Sequence, residues 1–359
     1  MSMDTERSYD DLMMEAYGLP NGRAKLQLLE EAARLADSAN DVDAGYGIRE
    51  EIVETATFSG HPRTALVAFS WQLGQFDKNP EEYDEFTLLW SYKWILDNLT
   101  CFPEIELAQV DQLLEDMRRR YQEYGYSDHM YYYYRFTLAL QCGELDQAGQ
   151  YLEQMQQMER DAMSDCEACI QNEFVEYWVR QGDDENVLKL AEPIVKGEMN
   201  CAEIPHLTLP KLLLPLYRQG QKAEADRYQK KDYKLIKDNT DFLRSIGEHI
   251  GYLTITDPFK GLELFQQHAA WTDVHEAPLD VMLFHSYAAG LFHRLQQEDV
   301  QFHIKLPASY PNPEHATDVA RLAQHYSERA LDVARRLDRR NGNNYYVTYT
   351  NSLMNPVIN

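Results

Sequence analysis

Basic residues are scarce in this 359-residue chain: 34 Lys and Arg stand against 59 Asp and Glu, for a formal net charge of −25. Nucleic-acid affinity is supplied largely by Lys and Arg neutralising phosphates, so that deficit excludes DNA and RNA as partners and disfavours anionic membrane surfaces. A basic peptide remains an allowed partner, and the acidity otherwise serves solubility. Turn formers are also few, with 17 Gly and 14 Pro, which argues against a many-stranded sandwich; 44% hydrophobic residues are too many for a disordered chain. No stretch approaches the roughly 18 apolar residues of a spanning helix, and the run from Leu212 to Tyr217 is interrupted by Pro215. The opening residues lack a basic region followed by an apolar one, so no secretory signal is expected and the cytoplasm is the expected location. Five cysteines, an odd number, then point to thiols or a metal site instead of a disulfide framework.

What is present is a period. Gly, a small residue five later and an apolar residue four after that recur at Gly60/Ala65/Phe69, Gly143/Ala148/Leu152, Gly182/Val187/Ala191 and, with a polar last member, Gly220/Ala225/Gln229. A weaker copy stands at Asp257/Leu262/Gln266, and the long first interval is filled by a copy near Pro103/Ala108/Leu113. The resulting unit of roughly 37 to 41 residues reads as a helix, a glycine turn and a second amphipathic helix entered through a small residue where the two cross. One such hairpin cannot bury its apolar faces, so neighbours must stack. The pattern resembles the tetratricopeptide repeat, departing from it in having a unit longer than about 34 residues.

The reading is therefore all-α: a tetratricopeptide-like α-solenoid of about seven helical hairpins. Residues 1–21 form an extension, 22–275 the degenerate repeats, and 276–359 a capping repeat. Helices are predicted at about 22–38, 44–58, 63–76, 84–100, 104–124, 129–142, 145–160, 167–181, 184–196, 206–219, 222–237, 241–255, 258–270, 277–296 and 314–340. Between the last two, Val300-Gln-Phe-His-Ile-Lys-Leu-Pro alternates apolar and polar residues, which predicts a short strand-like insertion near 300–312, either an ordered arm or a loose loop.

Cys166 and Cys169 in Ser164-Asp-Cys-Glu-Ala-Cys, with Cys201 and His206 in Cys201-Ala-Glu-Ile-Pro-His, supply three thiolates and an imidazole, the donor set of a closed structural zinc site. Both pairs fall a helix's length before a glycine marker, at the start of successive first helices, which a stack sets side by side. A helix N-terminus also favours the thiolate. The alternatives are three packed thiols with His206 at an exposed helix start, a redox pair, or a more open site in which Glu203 or water replaces His206. Cys101 and Cys142 are assigned to packing.

In the tetratricopeptide family the first helices line a concave groove, and the resemblance places residues 13, 10, 6, 3 and 2 before each marker there. These are Glu50 and Glu54; Tyr133 and Thr137; Asn172, Glu176 and Arg180; Tyr217 and Arg218; and, counted from Pro103, Trp90, Lys93 and Asp97. Aromatics with interspersed charges suit peptide binding, the rings supplying area and the charges register; the competing reading is that Tyr133 and its neighbours are core. Arg335, Arg336, Arg339 and Arg340 form a local basic patch that a helix C-terminus also explains. There is no phosphate loop, nucleophile elbow or His-Glu-x-x-His, so no enzyme activity is expected.

The segments Ala65-Leu-Val-Ala-Phe, Leu89-Trp-Ser-Tyr-Lys-Trp, Leu213-Leu-Pro-Leu, Ile304-Lys-Leu-Pro and Arg339-Arg-Asn-Gly, with both cysteine motifs, resemble a group of uncharacterised bacterial tetratricopeptide-repeat proteins over about residues 45–345. The resemblance implies a protein-interaction module that holds a partner peptide or helix in its groove. The other readings are a peptide-responsive regulator of the tetratricopeptide receptor type and a zinc-dependent enzyme. The short extension ahead of the first predicted helix is expected to leave no room for a DNA-binding helix-turn-helix.

Overall fold

The computed structural model describes residues 7–298 and 303–356, and it divides into two compact units, one reaching Leu99 and the other beginning at Thr100. Helix accounts for most of the described residues, which contain no strand, and within each unit the helices pack on their chain neighbours. None is long and apolar enough to cross a membrane.

The first unit holds α1 (Tyr9–Tyr17), α2 (Arg23–Ala39), α3 (Val42–Thr57), α4 (Pro62–Phe76) and α5 (Glu85–Leu99). Helix α1 lies inside the stretch read as an extension. Ser8 and Asp11 close a capping box at its start, and Leu12 and Ala16 are fully buried. In the second unit follow α6 (Leu107–Glu123), α7 (His129–Gln141), α8 (Leu145–Gln156), α9 (Glu167–Gln181), α10 (Asp184–Val195) and α11 (Leu209–Arg218). The chain continues through α12 (Lys222–Ile236), α13 (Leu243–Thr256), α14 (Pro258–His268), α15 (Pro278–Leu295), α16 (Val319–Asn341) and α17 (Tyr345–Met354). The first helices α9, α11, α13 and α15 lie side by side, while α10, α12 and α14 pack back on them.

The period has a physical cause in the turns. Gly60, Gly143, Gly182 and Gly220 all take positive φ, from 73° to 80°, a conformation open to glycine and costly for other residues. Five residues on, Ala65, Ala148, Val187 and Ala225 are at most 1% exposed, where only a short side chain lets the paired helices approach. The copy at Pro103 does not share this register. Ala108 is exposed, and α6 buries Val110, Leu114, Met117 and Tyr121 instead, because no glycine turn precedes it.

The strand expected near 300–312 is absent over 303–312, and Val300 to Phe302 lie outside the described residues. The segment is an ordered arm. Ile304 donates its N–H to the Ala316 carbonyl at 2.8 Å, Lys305 donates to the Gln266 side chain at 2.8 Å, and Ile304 and Tyr310 are buried. Its alternation reflects one side packed on the helices, with no neighbouring strand to complete a ladder. Helix α16 starts at Val319, later than predicted, because residues 313–317 form a 3₁₀ turn and Asp318 supplies the cap. It stops at Gly342, as the Asn-Gly signal predicts.

Candidate metal centre and charged groove

Cys166 is the N-cap of α9, and its Sγ accepts the Cys169 N–H at 3.4 Å, so the x2 spacing folds the pair onto the first turn. Cys201 arrives from the turn before α11, where its N–H bonds the Ile204 carbonyl at 3.1 Å. The Cys169 sulfur lies 3.3 Å from that of Cys166 and 3.4 Å from that of Cys201, and all three are within 4.8 Å of one another. Sulfurs on one tetrahedral ion at about 2.3 Å stand roughly 3.8 Å apart, so the three donors already approach a coordination set and are well beyond disulfide length. Burial against Ala168, Ile194 and Ile204, and then the other two thiols, push the Cys169 thiol far up in pKa. A bound cation would have to displace those tightly held protons, and its charge would in turn stabilise the thiolates. These three cysteines could hold a metal ion.

His206 stands apart from them. Its ring stacks on Phe242, 5.7 Å between centroids and 15° from parallel, and Nδ1 is buried with no hydrogen bond among the described residues. The turn into α11 brings the ring onto the next hairpin, so the four-ligand expectation reduces to three thiols. Cys101 and Cys142 are buried free thiols outside this cluster, and burial raises the Cys142 thiol to about 11.

Further along α9 lies a second cluster. Glu176 Oε1 accepts from Arg180 Nε and Arg244 Nη2, both at 2.6 Å, and Lys211 Nζ is 3.7 Å from Oε2, which is buried without a hydrogen bond. Burial opposes the ionisation of Glu176, but Arg244, Arg180 and Lys211 outweigh it and hold the carboxyl well below the usual range. Burial raises Glu173, and raises Glu248 even with Arg244 Nε at 3.6 Å. Above this cluster opens a cavity of about 520 Å³. It is lined by Glu176, Asp184, Lys211, Tyr217, Arg218, Arg244, Glu248 and Tyr287, and by Tyr349 and Leu353 of α17. The last helix thus forms one wall, with Tyr345 accepting a hydrogen bond from Arg180 and Tyr349 stacked 4.9 Å from that guanidinium.

No family model matches this chain, and no curated protein matches it.

Of the residues expected to face a groove, Glu176, Tyr217 and Arg218 line the cavity, and Arg180 lies under it, its side chain 3% exposed. Asn172 is buried, accepting the Thr208 hydroxyl at 2.9 Å. Tyr133 and Thr137 are buried within the packing of α7. In the first unit Lys93 is also buried, its ammonium 3.0 Å from the ring centre of half-buried Trp90. The same count taken back from Asp257 reaches Arg244, Gly247, Gly251, Thr254 and Ile255, all of which except Gly247 line the cavity. That signal was present in the sequence. The α17 wall had none, since it depends on partners far apart along the chain, as Arg180 and Tyr345 are.

Proposed function

We propose that this protein is an interaction scaffold whose second unit holds a partner peptide or helix in the cavity over Glu176. The observation that carries the reading is the buried Glu176 Oε2 without a hydrogen bond, beside Glu248, in a cavity whose aromatic walls supply contact area. Such an acceptor gains a full hydrogen bond from a donor on a ligand. Three cations and three carboxylates line the site, which favours a peptide carrying charge at fixed intervals, basic ones included given the net charge of −25. The test is selection from a library of random peptides on wild type and on Tyr217→Ala/Arg218→Glu, which alters a half-buried ring and an exposed guanidinium of the lining. Sequences enriched on wild type and lost on the variant at unchanged melting temperature support the groove. No enrichment, or equal enrichment on both, removes it.

We further propose that the three cysteines hold zinc in a structural role, tying the starts of α9 and α11 together, with water or a partner's donor as fourth ligand. Purified protein is expected to carry about one zinc per chain, and Cys169→Ser essentially none, with a loss of several degrees in melting temperature. Protein that contains no stoichiometric metal refutes the assignment. A cytoplasmic location agrees with three reduced thiols.

A further inference from the structure

A second cavity, of about 400 Å³, lies where the arm after residue 303 crosses α15 and α16. Helical spacing puts His325, Tyr326 and Arg329 on one face of α16; His285 enters from α15, Tyr310 from the arm and Asp273 from the 3₁₀ segment before α15. The walls are rings. Tyr310 and His325 are 4.5 Å apart between centroids, His325 and Tyr326 5.2 Å, and His285 and Tyr326 5.2 Å. One buried polar group is unsatisfied among the described residues, the Tyr326 hydroxyl; His285 is buried beside it, and Arg329, an exposed residue of α16, brings its guanidinium to the rim.

The electrostatics favour one sign of ligand. Burial, then Arg329 and His325, depress the His285 pKa to about 3, and burial with Arg329 lowers that of His325. Both imidazoles are therefore neutral N–H donors at neutral pH, beside the Arg329 guanidinium. The only carboxylate in the lining, Asp273, accepts the Ser309 hydroxyl. Donors converging on a ring-walled space, with one positive charge at the rim, are the complement of an oxyanion carried on a flat ring.

We propose that this cavity binds a small aromatic molecule bearing a phosphate or carboxylate, with Arg329 and the His285 and Tyr326 donors taking the oxyanion and Tyr310 and His325 taking the ring. The site is distinct from the groove over Glu176 and does not depend on the peptide reading.

Phenyl phosphate, benzoate and uncharged phenol are titrated into the full chain, following heat and the ring ¹⁵N signals of His285 and His325. Either anion is expected to bind and shift both rings, the tighter one identifying the oxyanion, while phenol binds at least about tenfold more weakly. Arg329→Gln is expected to weaken binding about tenfold or more and Tyr326→Phe severalfold. Asp273→Asn, which removes a like charge, strengthens it, and Arg335→Gln, an exposed arginine of α16 outside the cavity, leaves it unchanged. Phenol binding as tightly as the anions, undiminished affinity in Arg329→Gln, or no movement of the two histidine signals at millimolar ligand each overturns the proposal.

Discussion

Replacing Glu176 with alanine is expected to lower the stability of the second unit by about 3–5 kcal/mol, the range found when one partner of a buried ion pair is removed. The cost is not the lost Coulomb attraction alone. Arg180, its side chain 3% exposed, and Arg244 would be left facing each other with no carboxylate between them, and Arg180 would keep only Tyr345 and the Tyr349 ring. At roughly 2–4 °C per kcal/mol for a unit of this size, melting is expected to fall by about 6–20 °C. Glu176→Met/Arg180→Met, which removes both desolvated charges, is expected to lose less than Glu176→Ala despite being the larger change. A single variant melting within about 2 °C of wild type would show the cluster to be solvated, contrary to its burial.

The same cluster sets a pH dependence. The folded pKa of Glu176 lies below its ordinary value of 4.5, so its contribution is complete above that value and is lost as the pH falls from 4.5 toward the folded pKa. Glu173 and Glu248 act in the opposite sense. Their folded pKa values are raised, so ionising them costs stability, and protonation restores it as the pH falls through those values. Wild type is therefore expected to pass through a shallow optimum on acidification before unfolding, and Glu248→Gln to flatten the rise, as read by urea midpoints from pH 7 to pH 3.

Helices were legible where the signal was local. A glycine with positive φ, a small residue five later and an apolar residue nine later all lie within one turn and two helical turns, so the sequence carries the hairpin directly. The same locality puts Glu176, counted from Gly182, and Tyr217 and Arg218, counted from Gly220, in the lining of the second-unit cavity. The count failed at Pro103, where no positive-φ turn fixes the phase, and also at Gly143, where the turn is present but Tyr133 and Thr137 are buried in the packing of α7. Lys93, read from Pro103, is accordingly buried, not groove-facing. Spacing could also bring Cys166, Cys169 and Cys201 together, since two sit at the start of α9 and the third in the turn leading to α11, but it could not foresee the competition that His206 resolves in favour of the Phe242 ring. Least legible was the end of the chain. Of the four arginines on α16, Arg340 donates to the carbonyls of Thr100 and Phe102, and Arg336 approaches Glu104, so part of the basic patch is a clasp on the start of the unit. Nothing within a few residues of Arg340 announces partners some 240 positions away.

The placement of α17 makes the second large effect. Gly143→Ala would put a Cβ at 2.2 Å from Tyr345 Cγ and 2.7 Å from its Cβ, while also forcing φ +80° on an alanine. The dihedral alone costs about 1–2 kcal/mol. The collision is with the root of the tyrosine, not its flexible end, so relief requires α17 to move. That movement strains the Asn343 bond to the Cys142 carbonyl at 2.8 Å, the Tyr346 hydroxyl on Gln141 and the Arg180 bond to Tyr345. A loss of about 3 kcal/mol or more is expected, together with faster amide exchange across α17. Gly182→Ala separates the two causes: φ there is +73°, yet nothing lies within 4 Å of its Cβ, so only the dihedral cost of about 1–2 kcal/mol should appear. Adding Tyr345→Ala to Gly143→Ala should then bring the cost of the glycine change down toward that of Gly182→Ala, a non-additivity measurable by urea denaturation of the four-member cycle. Equal costs at the two glycines, or strict additivity with Tyr345→Ala, would mean that α17 does not rest on Gly143, and that the tyrosine wall of the groove is not anchored there.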